Sequence, residues 1–262
     1  MPKTGNNFDY SDRRVALVTG GARGIGFEIV RRFLADGYQV AFVATKVEHV
    51  ERALVAFDCP RHQIYAETTD VTQQNELERF VERVQARWGE IAILVNNAGI
   101  SPKRVDQDTP WLSQTTLQEW ARVIDVNLTC PFNLIRLLAP AMIAAGYGRI
   151  INIGSLAGRA MPLIAGPHYA ASKAGLVGLT RAAARDLAPH GITVNCIAPG
   201  RILSDLTGPS GAAVNRSALS RIPVGRLGTA EEIAHVAAFL VSSMAGFITG
   251  ATIDVTGGEF AA

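Results

Sequence analysis

The feature that most limits how this chain can fold is the alternation of short apolar runs with helix-like stretches along almost its whole length. The apolar runs lie at residues 15–18, 40–43, 64–66, 91–95, 150–153, 192–197 and 252–255, and the main helix-like stretches at 74–88, 117–145 and 169–187. Near-continuous apolar strands separated by helices are typical of a parallel sheet that is buried on both faces. The pattern therefore predicts an α/β fold with a doubly wound parallel sheet of about seven strands and helices on both faces.

The chain of 262 residues shows no sign of division into separate units. It has no linker rich in Pro, Gly or Ser and no internal repeat of solenoid length, so we predict a single domain over residues 1–262. Residues 1–11 are polar and are expected to be flexible. Residues 202–221 are rich in loop-forming residues, and two interpretations stay open for them: a lid over a substrate, or a plain surface excursion.

Net charge and hydropathy limit the kinds of partner that the protein can be expected to bind. The 25 basic and 23 acidic residues give a net charge of +2, which creates no overall field to attract nucleic acid or an anionic membrane. A small-molecule ligand is the better expectation. No run reaches the roughly 18 apolar residues of a membrane span, and the polar N-terminus lacks the apolar core of a secretory signal. We therefore expect a cytoplasmic protein.

The cysteines and histidines point away from disulfide and metal chemistry. Cys59, Cys130 and Cys196 are isolated and odd in number, which is typical of a reducing compartment. None of the cysteines or of the five histidines shows the spacing of a zinc site. We expect no bound metal ion.

The densest glycine cluster, Gly20, Gly24 and Gly26, directly follows the first apolar run and opens the first helix-like stretch. Glycine lets the backbone approach a ligand closely, and the N–H groups at a helix N-terminus attract phosphate oxygens. A nucleoside-triphosphate loop would need Gly-Lys-Ser/Thr here, but Gly26 is followed by Phe27 and Glu28. The cluster therefore predicts a pyrophosphate-binding turn, with a merely tight strand-to-helix turn as the alternative.

The glycine spacing resembles that of the short-chain dehydrogenase/reductase family, and further motifs extend this resemblance over residues 12–260. They are Thr19 before the glycines, the Asn96-Asn97-Ala98-Gly99 segment, Asn127, Ser155, the Tyr169-Ala170-Ala171-Ser172-Lys173 segment and Pro199-Gly200. Within the family, the sequence most resembles the branches of 3-oxoacyl-carrier-protein reductases and of sugar or polyol dehydrogenases. The resemblance implies a Rossmann-type fold and an NAD(P)(H)-dependent oxidoreductase that transfers hydride between the nicotinamide cofactor and a ketone or secondary alcohol.

The resemblance also implies which residues contact the cofactor. They follow the ends of successive strands and include two catalytic residues: Gly20, Arg23, Gly24, Ile25, Gly26, Thr45, Lys46, Asp70, Val71, Asn97, Ala98, Gly99, Tyr169, Lys173, Pro199, Gly200, Ile202 and Ser204. Several of these have a simpler interpretation as well. Arg23 and Lys46 could be ordinary surface charges, and Asp70 could cap the next helix.

The residue at the end of the second strand bears on the choice of nicotinamide cofactor. NAD-binding sites usually place an acidic residue there to hydrogen-bond the ribose 2′-hydroxyl, but this chain has Ala44. The nearby Lys46 and Arg23 would offer positive charge to a 2′-phosphate. We therefore favour NADP over NAD.

Tyr169 and Lys173 are four residues apart in an alanine-rich segment, so a helix would place both on one face. A free phenol has a pKa near 10 and is a poor acid at neutral pH. A unit charge at about 4 Å and an effective dielectric near 20 contributes on the order of 4 kcal/mol. We therefore predict that Lys173 lowers the pKa of Tyr169 by about two to three.

The resemblance assigns roles to four catalytic residues. Tyr169 would exchange the proton with the substrate oxygen, and Ser155 would hydrogen-bond the developing alkoxide. Lys173 would also hold the nicotinamide ribose, and Asn127 would steady a water relay to it. The simpler interpretations are a helix N-cap for Ser155 and a buried structural amide for Asn127.

Three properties stay open from the sequence. The substrate could be a 3-oxoacyl thioester or a sugar or polyol, because Gly146, Tyr147 and His190 stand where carrier-protein users typically present basic residues. A non-catalytic dinucleotide-binding sensor or scaffold with the same fold is the alternative to an enzyme. The family implies a homo-oligomer, a tetramer or dimer, and Ala174 and Gly178 would permit close helix contact.

Overall fold

The computed structural model describes residues 15–102, 112–203 and 213–261. Seven strands form one parallel sheet: β1 (Val15–Thr19), β2 (Gln39–Ala44), β3 (Ile64–Thr68), β4 (Ile93–Asn96), β5 (Gly148–Ile153), β6 (Ile192–Pro199) and β7 (Thr252–Val255). Their order across the sheet is β3-β2-β1-β4-β5-β6-β7, and all neighbours pair in parallel. The predicted doubly wound sheet is confirmed. Residues 1–11 and Ser204 lie outside the described residues.

Helices cover both faces of this sheet. They are α1 (Gly24–Ala35), α2 (Val47–Ala56), α3 (Gln74–Trp88), α4 (Leu117–Ile124), α5 (Cys130–Ala145), α6 (Pro167–Leu187), α7 (Ala213–Leu219) and α8 (Ala230–Val241). Each strand contributes alternate side chains to the two faces, because successive residues of a strand point in opposite directions. On β1, Ala16 and Val18 pack with α1, α2 and α8, while Val15 and Leu17 pack with α3, α5 and α6. The central strands are therefore buried on both sides.

The stretch Leu117–Ala145, predicted as one helical region, is interrupted by a π-helical turn at Asp125–Thr129. The whole stretch is long and apolar enough to cross a membrane by length and composition. In the structure its residues Leu134, Leu138 and Met142 are at most 1% exposed and belong to the core beneath the sheet. The apolar residues of this stretch thus serve the interior of the protein.

Strand order determines where a ligand site can form. From β1 the chain adds β2 and β3 toward one edge of the sheet, and it then crosses back to add β4 to β7 toward the other edge. The strand order therefore reverses between β1 and β4. In doubly wound sheets, the crevice at the carboxyl ends of the strands beside such a switch point is the usual ligand site. The fold therefore directs attention to the segments that follow β1, β2, β4, β5 and β6.

Candidate active site

A cleft of about 540 Å³ lies at the carboxyl ends of these strands. Many of its lining residues are those predicted to bind the cofactor or to act in catalysis: Gly20, Arg23, Gly24, Ile25, Thr45, Asp70, Val71, Asn97, Ala98, Gly99, Ser155, Tyr169, Lys173, Pro199, Gly200 and Ile202. Gly26 lies directly beneath the lining and Asn127 behind it, both buried. Lys46 does not line the cleft. The chain turns away into α2 after Thr45, and Lys46 becomes the exposed N-cap residue of that helix.

The turn between β1 and α1 has the geometry of an anion cradle. Gly20 and Gly24 have positive φ angles of 68° and 56°, which side chains other than glycine rarely adopt. A Cβ atom on Gly26 would lie 2.2 Å from the carbonyl oxygen of Gly20 and 2.4 Å from Nδ2 of Asn97, so only glycine fits there. No side chain caps the N-terminus of α1 and no acidic residue occupies its first turn. The helix N-terminus is therefore left to attract a phosphate group.

Thr19 and Asn97 hold this turn against the end of β4. The Thr19 hydroxyl accepts hydrogen bonds from the backbone N–H groups of Asn97 and Ala98, both at 3.0 Å. The Asn97 amide donates to the carbonyl oxygens of Thr19 at 2.9 Å and Gly20 at 3.1 Å. Thr19 is therefore a positioning residue. The sequence motif includes it, but we did not predict it as a site residue, although its position at the carboxyl end of β1 indicated that it lies at the cleft.

At the end of the cleft beside β2 and β3, residue 44 is an alanine and so provides no carboxylate. Asp70, which follows β3, lines this end and forms an ion pair with Arg122 of α4 at 2.8 Å. It also accepts hydrogen bonds from the backbone N–H and the hydroxyl of Thr72. Burial opposes ionisation of this carboxyl, but the bonds from Thr72 and Arg122 lower its pKa. Asp70 does not cap α3, whose N-cap is Gln73, so the simpler interpretation of Asp70 is wrong.

Asn127 lies in the π-helical turn between α4 and α5 and is fully buried. Its Oδ1 accepts from the backbone N–H of Ile100 at 2.9 Å, and its Nδ2 donates to the Ile100 carbonyl and to the Ser172 hydroxyl, both at 3.0 Å. A Cβ atom on Gly99 would meet both Nζ of Lys173 at 3.4 Å and Oδ1 of Asn127 at 3.5 Å. Asn127 thus fastens the segment after β4 to α6, close to Lys173.

Ser155, Tyr169 and Lys173 come together on the wall of the cleft. Lys173 is 3% exposed, and its Nζ donates to the carbonyl oxygen of Ile153, the last residue of β5, at 2.7 Å. The Nζ atom lies 5.7 Å from the centre of the Tyr169 ring. Ser155 lies near enough to Tyr169 to lower the pKa of the phenol, and its hydroxyl accepts from the backbone N–H of Ala157 at 3.1 Å. The N-cap interpretation of Ser155 is therefore correct as well.

The prediction that Lys173 lowers the pKa of Tyr169 is wrong. Burial raises the pKa of Tyr169, and the hydrogen bond with Ser155 only partly opposes it. Burial also lowers the pKa of Lys173 to about 8. A solvated positive charge beside the phenol would lower its pKa, but here desolvation dominates for both groups and Lys173 donates to the Ile153 carbonyl.

The far side of the cleft comes from the segment after β6. Gly200 packs against β7, where a Cβ atom would lie 3.0 Å from the Cα atom of Thr256. Ile202 is buried and, with Arg201, faces the cleft. Ala218 and Arg221 line the same side, so parts of the predicted 202–221 segment border the cleft. Within the described residues, no group of three His, Cys, Asp or Glu side chains is arranged to hold a metal ion.

Comparison with known proteins agrees with this geometry. A family model described as "Enoyl-(Acyl carrier protein) reductase" matches residues 20–259. The 3-oxoacyl-[acyl-carrier-protein] reductase FabG of Staphylococcus epidermidis is 39% identical over 246 residues, covering 94% of this chain and 98% of that protein. The Escherichia coli protein of the same name is 38% identical over 247 residues, covering 94% and 97%.

Solved structures give the same result. A 3-oxoacyl-[acyl-carrier protein] reductase from Brucella melitensis superposes with a TM-score of 0.89 at 34% identity, covering 100% of this chain and 99% of that one. Another with bound NAD, from the same organism, has a TM-score of 0.87 at 34% identity, covering 99% and 98%. The chain therefore belongs to the short-chain dehydrogenase/reductase family, in its 3-oxoacyl-carrier-protein reductase-like branch, and is an NAD(P)-dependent oxidoreductase acting on a ketone or secondary alcohol.

Proposed function

We propose that this protein reduces a 3-oxoacyl thioester to the 3-hydroxy compound, with NADPH as the cofactor. The observation that carries the proposal is the convergence of Ser155, Tyr169 and Lys173 on one wall of a cleft whose other wall is a dinucleotide cradle. The bound nicotinamide supplies hydride to the substrate carbon. The names of the curated relatives support the thioester over a sugar or polyol, and they do not favour a non-catalytic sensor or scaffold.

Tyr169 is suited to donate a proton in the direction of reduction. The phenol is protonated at neutral pH, but burial raises its pKa and makes it a weaker acid, so the positive charge of Lys173 on the same wall would be needed to ease the transfer. Ser155 and Tyr169 both line the cleft, so a substrate oxygen bound between them would meet two hydroxyl donors, as in an oxyanion hole. Lys173 brings positive charge to the same wall, and Asn127 holds α6 against the segment after β4. These four residues form the proposed catalytic set.

The apolar segment after Ser155 supports an acyl substrate. Met161, Leu163 and Ile164 are 82%, 58% and 36% exposed, and all three line the cleft. Exposed apolar side chains at a cleft mouth are suited to contact an alkyl chain. We propose that they bind the acyl chain and that Ala218 and Arg221 border the substrate on the opposite side. Residues 204–212 of the predicted 202–221 segment lie outside the described residues.

The cofactor residues follow from the same geometry. We propose that Gly20, Gly24, Ile25 and Gly26 hold the pyrophosphate, and that Arg23 and Thr45 lie beside a 2′-phosphate. The absence of a carboxylate at Ala44 and the exposed position of Arg23 on the cleft support NADP over NAD. Asp70 and Val71 would border the adenine, Asn97 to Gly99 the adenosine, and Pro199, Gly200 and Ile202 the nicotinamide.

The reaction is tested by following NADPH absorbance with purified protein and an acetoacetyl thioester. Crotonyl thioester tests enoyl reduction, the reaction in the description of the matching family model, and a sugar and polyol panel tests the other substrate class. Tyr169→Phe is expected to lower kcat for the 3-oxo substrate by about 10²- to 10⁴-fold, because it removes the proton donor. NADPH binding by intrinsic fluorescence should be retained. Turnover of the crotonyl thioester alone would show that the proposed reaction is wrong.

We also propose a cytoplasmic homo-oligomer, a dimer or tetramer. Ala174 and Gly178 are exposed on α6, where small residues permit close approach of a second helix. Gel filtration with light scattering should report at least two chains per particle. A monomer at micromolar concentration would contradict this proposal without affecting the reaction.

A further inference from the structure

Residues 155–160, the Ser155 turn, follow β5 and bring Ser155 to the cleft. Leu156–Gly158 form a single 3₁₀ turn in which Ser155 is the N-cap residue. The N–H of Gly158 donates to the Ser155 carbonyl at 3.0 Å. The N–H of Arg159 donates to the Leu156 carbonyl at 2.9 Å. One turn has little stability of its own, because few hydrogen bonds offset the entropy of fixing its backbone. Contacts with the rest of the protein must therefore set its position.

Gly158 holds one side of the Ser155 turn against α6. A Cβ atom on Gly158 would lie 2.5 Å from the carbonyl carbon of Lys173 and 2.6 Å from the backbone nitrogen of Ala174, so only glycine lets the turn lie directly on the helix backbone. This contact sets how closely Ser155 approaches the helix that carries the other catalytic groups. Close packing of this kind is non-directional, so a second contact is needed to orient the turn.

Arg159 provides a directional contact, with Asp254 of β7. Its Nε donates to Oδ1 of Asp254 at 3.1 Å, and its Nη2 donates to Oδ2 at 3.0 Å. Paired bonds between a guanidinium group and a carboxylate fix orientation as well as distance. The two side chains are only 16% and 17% exposed, so water competes little for these bonds. The pair therefore fastens the end of the Ser155 turn to the edge strand of the sheet.

Asp254 is itself held in place by the sheet. It lies in β7, which pairs with β6. Its neighbours Ile253 and Val255 pack on the face covered by α1 and α8, so Asp254 points to the other face, where α6 lies. The guanidinium group of Arg159 also lies over the ring of Phe260, with Cζ 5.5 Å from the ring centre. The C-terminal part of the chain thus offers a fixed partner to the Ser155 turn.

We propose that the Arg159–Asp254 pair positions Ser155 for hydride transfer at the substrate carbonyl. Neither Arg159 nor Asp254 is among the described residues that line the cleft, so both act through the Ser155 turn and are positioning residues. The inference rests on the proposed function, because it requires that the Ser155 hydroxyl contacts the substrate oxygen. A displacement on the order of 1 Å can lower a rate about 100-fold, so a pair outside the cleft can control kcat.

A double-mutant cycle tests whether the pair acts through Ser155. The variants are Arg159→Met, Ser155→Ala and the double variant, assayed with NADPH and an acetoacetyl thioester. In the wild-type background, Arg159→Met should lower kcat by about 10- to 100-fold, because Ser155 loses its position. In the Ser155→Ala background the same change should lower kcat by less than about threefold, because no hydroxyl is left to misplace. Arg159→Lys keeps one charged bond and should recover part of kcat.

Further variants separate positioning from a general loss of structure. Asp254→Asn keeps the size of the side chain and should reproduce the loss in kcat, even where Arg159→Met does not fold. NADPH affinity should stay within about threefold of wild type in these variants, because the phosphate cradle is formed by the turn between β1 and α1.

Arg83→Met is the matched control. Arg83 donates to both carboxylate oxygens of Glu67, at 2.6 Å and 2.5 Å, and this pair lies at the opposite edge of the sheet, on β3. Loss of this second pair should leave kcat within about twofold of wild type.

Equal losses from Arg159→Met in both backgrounds would overturn the inference, while an impaired Ser155→Ala variant and a reduced thioester would leave the proposed function standing. A wild-type kcat in Ser155→Ala would show that the proposed role of Ser155 is wrong, and the inference would fall with it.

If no thioester is reduced, the proposed function fails, and amide hydrogen exchange of the peptide 155–160 decides the inference. Arg159→Met should then raise exchange in this peptide by at least about tenfold and leave the peptide 74–88 unchanged. Unchanged exchange at 155–160 would overturn the inference.

Discussion

The two ends of the cleft hold their polar groups in different ways. At the reaction end, Asn127 and Lys173 are at most 3% exposed, and each is tied to backbone carbonyls or to a neighbouring hydroxyl. At the adenosine end, Arg23 and Thr45 line the cleft but are exposed to solvent. Buried polar groups are costly when a partner is lost, whereas solvated groups exchange partners with water at little cost. Substitutions at the reaction end should therefore lower stability strongly. Substitutions at the adenosine end should cost little stability and can change the cofactor preference.

The glycine turn between the two ends is predicted to be the least tolerant position of all. In Gly26→Ala the new Cβ would lie 2.2 Å from the Gly20 carbonyl oxygen and 2.4 Å from Nδ2 of Asn97, and both groups shape the cradle. We expect NADPH affinity to fall by at least about 1,000-fold, or about 4 kcal/mol, because the turn must open to relieve this overlap. Fluorescence titration with NADPH measures the loss.

Gly99→Ala is the matched control for that change. Its added Cβ would make ordinary contacts of 3.4 Å to Nζ of Lys173 and 3.5 Å to Oδ1 of Asn127. The free energy of unfolding should stay within about 1 kcal/mol of wild type. Wild-type NADPH affinity in Gly26→Ala would show that the cradle is more pliable than its geometry indicates.

Asn127→Ala tests the rigidity of the reaction end directly. The change removes three hydrogen bonds and leaves the N–H and C=O of Ile100 without their partner. We expect the free energy of unfolding in urea to fall by about 2–4 kcal/mol, the cost of unsatisfied buried groups. Thr45→Ala removes a polar group from the exposed end and should cost less than about 0.5 kcal/mol. Similar losses in both variants would remove the distinction between the two ends.

Lys173 provides a test in which the sign depends on pH. Because burial lowers its pKa to about 8 from 10.5, the unfolded chain binds more protons than the folded protein between these values. Stability therefore rises with pH across this window. Relative to Lys173→Met, wild type should gain about 2 kcal/mol of unfolding free energy from about pH 7.5 to about pH 9.5.

Groups that titrate in both proteins cancel in this difference, and the same comparison with Lys46→Met gives the baseline. Lys46 is exposed, so Lys46→Met is the matched control for the loss of a lysine side chain. A flat difference between wild type and Lys173→Met would mean that Lys173 keeps the proton affinity of a solvated lysine and that the reaction end is wetter than the structure shows.

Periodicity and spacing predicted the framework of this molecule but not the environment of its charges. The apolar runs located all seven strands, and the boundaries of α3 agree with the prediction at 74–88. The break at Asp125–Thr129 was not predicted, because the residues on both sides of it are helix-forming and no Gly or Pro lies within the turn. The helical spacing of Tyr169 and Lys173 was sufficient to place them together. Their pKa values depend on burial, which spacing does not reveal.

Contacts between segments that are far apart in the sequence could not be predicted either, because they too depend on tertiary packing. Arg201, Arg221 and Glu259 are brought together only by the packing of α7 and the C-terminal segment against the end of β6. Conversely, Lys46 was predicted with Arg23 as a contact of the 2′-phosphate, yet it is the exposed N-cap residue of α2 and does not line the cleft. Local pattern identifies which groups are present, whereas tertiary packing decides which of them meet.

The smallest predicted effect tests whether the adenosine end can be retuned. Ala44 ends β2 at the cleft, and its carbonyl oxygen accepts from the Thr69 N–H at 2.9 Å, so the backbone at this position is held. Ala44→Asp would repel a 2′-phosphate and accept a hydrogen bond from a 2′-hydroxyl. We expect the ratio of kcat/KM for NADPH over NADH to fall at least about tenfold, or about 1.4 kcal/mol.

Ala44→Asn has the same size without the charge and should leave this ratio nearly unchanged. Added salt should weaken the effect of the aspartate, because the charges at this end are exposed. Equal shifts in the two variants would mean that the adenosine end selects its cofactor by shape, and the contrast between the ends would then be one of stability alone.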